Sequence, residues 1–179
     1  VQAGVQAIGI FALAEEADTR IAIHNYGDLS GVSGLNAAPP ASGGLGAVVD
    51  GANSPITIVN HGDISLKAEL GASGIYGFAP ADDSQMTIVN HGDISLSAGL
   101  EAAGIYAVAV GANSPITVVN SGGISAEAGV LARGIYAATY GYNSPITIVN
   151  IGNVRATGGN EVGIDASSSD ADSPIVIVN

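Results

Sequence analysis

The segment Asn-His-Gly-Asp-Ile-Ser-Leu occurs twice, at Asn60–Leu66 and at Asn90–Leu96. It places His61 two residues before Asp63, and His91 two residues before Asp93. Two imidazoles and two carboxylates form a donor set suited to zinc or nickel. The next equivalent position reads Ser121 and Gly123, so the donor set does not continue. The plainer reading makes these four residues surface turn residues, and no metal or cofactor is expected. The chain has no Cys, which excludes thiol catalysis and Cys-ligated zinc. The calcium-binding nonapeptide repeat is also absent.

Acid–base chemistry needs clustered carboxylates, or carboxylates beside a metal and a base. The only basic residues are Arg20, Lys67, Arg133 and Arg155, and they are far apart in sequence. Asp82–Asp83, Asp170 and Asp172 fall in segments that read as turns. The sequence is therefore not expected to encode an enzyme. A net charge of -12 argues against nucleic acid, whose phosphates require Lys and Arg. It also disfavours an anionic membrane surface. No apolar run approaches the ~20 residues of a membrane span. High hydrophobicity with few charges argues against disorder.

The elements that position these residues are repeats. Asn25, Asn60, Asn90, Asn120, Asn150 and Asn179 recur about every 30 residues, most of them closing a phrase close to SPITIVN. Gly9, Gly44, Gly74, Gly104, Gly134 and Gly163 each precede one of those asparagines by 16 residues. In one unit, Asn113-Ser114-Pro115 reads as a turn and Ile116–Asn120 as a first strand. Ser121-Gly122-Gly123 is a corner, and Ile124–Ala128 a second strand. Residues 129–133 form a looser corner, and a third strand runs from Gly134 to Tyr140. Period-2 alternation with Gly, Pro and Asn punctuation favours strands throughout. The acidic segment Glu15-Glu16-Ala17-Asp18 reads as a candidate for one helical turn.

Three strands per unit predict an all-β fold, a parallel β-helix (β-solenoid) of about six coils over residues 1–179. Coil length and the crossover preference favour a right-handed winding. Residues 26–43 carry five extra residues around Ala38-Pro39-Pro40-Ala41, an irregular coil with a loop insertion. One residue is missing between Asn150 and Gly163. Because Val1 aligns within a repeat, the sequence is expected to be a piece of a larger protein.

Alternation assigns the faces. Ile56, Ile58 and Asn60 point inward with their equivalents, as do Ile64, Leu66 and Ala68, and Ile75, Gly77 and Ala79. The inward asparagines can hydrogen-bond the turn backbone and each other, a structural ladder that needs no ligand. Corner glycines such as Gly62 and Gly92 read as positive-φ residues. Outward lie Thr57, Thr87, Thr117 and Thr147, beside Val59, Val89, Val119 and Val149. This Thr/Val stripe reads as a contact surface, as an ice-matching face, or simply as strand propensity. Phe11, Tyr76, Tyr106 and Tyr136, with Tyr140 nearby, form an outward aromatic column. It suits sugar stacking, a protein interface, or a local ladder.

The phrases Ile58–Ile64 followed by Gly74-Ile75-Tyr76, and Ile88–Ile94 followed by Gly104-Ile105-Tyr106, resemble repeats of bacterial autotransporter and filamentous-haemagglutinin-type passenger domains. The likeness covers nearly the whole chain. It implies secretion, display at the bacterial cell surface outside the outer membrane, and a role in adhesion or self-association. Expected partners are a second copy, laterally or end to end, or a host or matrix protein or glycan. It carries over no catalytic residue. The alternatives are an extracellular filament subunit, an ice-binding solenoid and, last, a polysaccharide-active enzyme.

Overall fold

A computed structural model describes residues 2–3, 7–33 and 42–179. The described residues form an all-β solenoid with no helix, built from three parallel sheets of six strands each. This amounts to about five turns, with three strands per coil. The Thr/Val sheet stacks Ile21–Asn25, Ile56–Asn60, Met86–Asn90, Ile116–Asn120, Ile146–Asn150 and Ile175–Val178. The serine sheet stacks Gln2–Ala3, Leu29–Ser33, Ile64–Ala68, Ile94–Ala98, Ile124–Ala128 and Val154–Thr157. The tyrosine sheet stacks Ala7–Ala14, Ser42–Val49, Gly71–Ala79, Glu101–Ala109, Leu131–Thr139 and Asn160–Ser168. Each strand pairs with its copy one coil away, so like residues sit on like residues.

The core is a set of such columns. Ile56, Met86, Ile116 and Ile146 are buried, as are Ile58, Ile88, Val118 and Ile148. Ile64, Ile94 and Ile124 face them from the serine sheet. Each fully buried aliphatic contributes about 1.5–3 kcal/mol. The stack makes that contribution conditional on both neighbouring coils.

Three local expectations are corrected. Residues 15–18 form the same non-helical turn as every other coil, with Asp18 at φ 60°. A single coil supplies too few residues there to repay helix nucleation. The third strand begins at Leu131, not at Gly134, because residues 131–133 pair in register with residues 101–103. Finally, no glycine among the described residues has positive φ. That conformation falls on Asp18, Asn53, Asp83, Asn113, Asn143 and Asp172 in the turn column, where short polar side chains tolerate it. Gly62 and Gly92 are required for another reason. A Cβ on Gly62 would lie 2.1 Å from the Gly27 carbonyl oxygen, and one on Gly92 2.0 Å from that of Gly62.

The missing residue after Asn150 is absorbed at the corner 158–159, since Glu127 pairs with Thr157 but Leu131 with Asn160. The Pro-rich part of the 26–43 insertion lies outside the described residues. The strands on either side of it, Leu29–Ser33 and Ser42–Val49, are both in register with the next coil.

Candidate functional site

Two buried ladders hold the corners from which the outward faces hang. Asn60, Asn90 and Asn120 are fully buried. The Asn90 Nδ2 donates to the Gly92 carbonyl at 2.7 Å and to Asn120 Oδ1 at 2.7 Å, and its Oδ1 accepts from Asn60 Nδ2 at 2.8 Å. The same pattern links Asn25 through Asn179. The second ladder was missed in the sequence. Backbone N–H groups of Ser54, Ser84, Ser114 and Ser144 donate to the Oγ of the serine one coil on. Its signal was present, because Ser84 persists where Gln85 replaces the following Pro.

The Thr/Val face is regular. Thr57, Thr87, Thr117 and Thr147 pair with one another in register, as do Val59, Val89, Val119 and Val149. All eight are half-buried by their neighbours in the stack. The outward positions of the two end strands are Ala22, His24, Val176 and Val178. The face thus carries no Asp, Glu, Lys or Arg, although the chain has 16 acidic residues.

The tyrosine sheet is not flat. In Gly71–Ala79, two consecutive residues, Gly74 and Ile75, are buried, and the alternation resumes out of phase. The same break occurs at Gly104–Ile105 and Gly134–Ile135. The strands bend there, and the bend pinches the core. A Cβ on Gly104 would lie 2.3 Å from Ile124 Cγ2 and 2.5 Å from the Gly134 carbonyl oxygen. This is why the glycine marker keeps step with the asparagines. Outside, the elbow opens a hollow of about 180 Å³. Ser73, Glu101, Ala103 and Arg133 line it from one arm, and Tyr76 and Tyr106 from the other.

The aromatic column divides in two. Tyr76 and Tyr106 stack with centroids 5.4 Å apart and 13° between planes, and Tyr106 meets Tyr136 at 5.0 Å and 39°. Arg133 Cζ sits 4.5 Å from the Tyr136 ring centroid, and its Nε donates to Asp165 Oδ2 at 3.2 Å. Phe11 is separated from these rings by Gly46, which pairs with both Phe11 and Tyr76. Burial pushes the Tyr76 phenol up to about 12. Burial also pushes the Tyr136 phenol up to about 12, helped by Tyr140 beside it. The Tyr106 phenol is raised as well, first by burial.

At the remaining corner Tyr26, His61 and His91 form a stack with 4.8 Å between successive ring centroids. Parallel rings at coil spacing do not converge on one ion. His91 Nδ1 lies 2.9 Å from Ser121 Oγ. Asp63 Oδ1 accepts from the Asp93 N–H, and Asp93 Oδ1 from the Gly123 N–H, at 2.8 and 2.7 Å. Among the described residues no group of three His, Asp or Glu is placed to hold a metal ion. Comparison of the chain with protein families, with curated proteins and with solved structures finds no match.

Proposed function

We propose that this solenoid is a structural and adhesive segment of a secreted bacterial surface protein, and that it associates through its Thr/Val face. One observation carries this reading. A chain of net charge -12 keeps one whole sheet face free of carboxylates and cations. Elsewhere the outward columns hold Lys67, Glu127 and Arg155, or Glu101, Arg133 and Asp165. Two acidic copies can approach closely only where no charge meets like charge. The repeat likeness to passenger domains supports the cellular setting.

The size of the face sets the strength. Six strands of about five residues, at ~4.8 Å between strands and ~3.3 Å per residue, bury roughly 1,000 Å² in a face-to-face pair. That is the low end for specific association, so contact by this segment alone is weak and gains from multiple copies.

The test is light scattering across a concentration series. The parent chain associates as concentration rises. Val89→Lys with Val119→Lys places unpaired charges at the centre of the face and abolishes association. Association unchanged by that double substitution rejects the face.

A further inference from the structure

The elbow of the tyrosine sheet has a chemistry distinct from that of the Thr/Val face. We propose that it is a binding site for a neutral saccharide, with one sugar unit seated in the hollow between Ser73, Glu101 and Arg133 on one arm and Tyr76 and Tyr106 on the other.

The hollow is small. At about 180 Å³ it lies below the ~300–1,000 Å³ of drug-sized pockets, and it suits a single ring of a longer ligand. Its lining is mixed. Ala103 and Leu131 supply apolar surface, Glu101 supplies acceptors, and Arg133 supplies donors. The two phenols act as neutral hydroxyls. A pyranose offers this combination in reverse, with apolar C–H faces and a rim of hydroxyls that both donate and accept.

Charge disfavours anionic ligands. Arg133 bonds Asp165 through Nε alone, and with Glu101 beside it the two carboxylates outnumber the one cation, so the hollow carries no net positive charge for an anion. The net charge of -12 further repels anionic polymers. The tyrosine rings lie against one another, so they meet the sugar with edges and hydroxyls rather than open faces. The hollow draws its lining from three successive coils, at residues 71–76, 101–106 and 131–133, so a linear glycan would run along the solenoid axis.

The site is independent of the Thr/Val contact. The experiment is a panel of neutral hexasaccharides (cellohexaose, xylohexaose, maltohexaose and chitohexaose) tested by saturation-transfer NMR and calorimetry, with hexagalacturonate as the acidic comparison. At least one neutral oligomer binds, and the acidic one binds more weakly. Ala103→Arg fills the hollow and weakens the neutral ligand by about tenfold or more. Glu101→Gln, at an exposed position, also weakens it while leaving the circular dichroism and the self-association of the chain unchanged. No binding by any neutral oligomer, preference for hexagalacturonate, or binding unaffected by both substitutions overturns the proposal.

Discussion

Asn90 is fully buried, and its amide joins three coils and one turn. Asn90→Ala strips the Gly92 carbonyl and Asn120 Oδ1 of their donor and Asn60 Nδ2 of an acceptor, all in a buried column. Each orphaned group costs about 1–3 kcal/mol, so the loss of three bonds should destabilise by about 3 kcal/mol or more in urea unfolding. Thr139 gives the opposite sign. It is 1% exposed, and its Oγ1 makes no hydrogen bond. Thr139→Val keeps the shape and removes an unpaid hydroxyl, so stability should rise by about 1 kcal/mol. A loss at Thr139→Val would show that the hydroxyl is satisfied. The asparagine column was legible in sequence, because a polar residue repeating on an apolar face must satisfy itself. The orphaned Thr139 hydroxyl was not, because the column changes from Ala109 to Thr139 and Ser168, whose Oγ is also without a partner, and no repeating polar pattern marks it.

At the scale of the strand, the elbow explains what the third segment requires. Gly104→Ala forces a Cβ against Ile124 and the Gly134 backbone, and should cost several kcal/mol by overpacking, on the order of 1–3 or more. Gly43→Ala is the control. Among the described residues a Cβ there meets only the Ser73 carbonyl oxygen, at 3.9 Å, so the change should be neutral or stabilising by up to about 1 kcal/mol. Equal losses at the two positions would contradict the pinched elbow. The tyrosine stack adds a pH response. Phenols ionise near 10 when unfolded, whereas Tyr76 and Tyr136 are pushed up to about 12 in the fold. The fold therefore favours the neutral phenol. That stabilisation is full below about pH 10 and is lost as pH rises through about 12. Near-ultraviolet titration should show Tyr76, Tyr106 and Tyr136 ionising later than the other tyrosines, and unfolding midpoints should fall over the same window. Alternation made the strand faces legible. The bend and its hollow were not legible, because the break at Gly74 depends on how closely the serine-sheet isoleucines approach it. The corner glycines were read as positive-φ residues for the same reason. Their constraint is the carbonyl one coil away, which has no mark in the local sequence.

At the scale of the whole molecule, stacking turns one repeat into three faces of different character. One is uncharged, one is rich in serine, and one is bent and aromatic. The period and the strand count were plain from the asparagine and glycine markers. The contrast in charge between the faces emerged only when every outward column was placed on its sheet. That contrast is the centre of the functional account, and salt tests it most directly. The copies repel through their net charge but meet through a face that carries almost none. Screening shortens the repulsion from a Debye length of ~10 Å at 0.1 M to ~3 Å at 1 M, while apolar contact is untouched. Sedimentation velocity across this salt range, at several protein concentrations, is the deciding measurement. The account predicts self-association that strengthens as salt rises. Association that weakens with salt, or a chain that stays monomeric at every concentration and salt level, would contradict it.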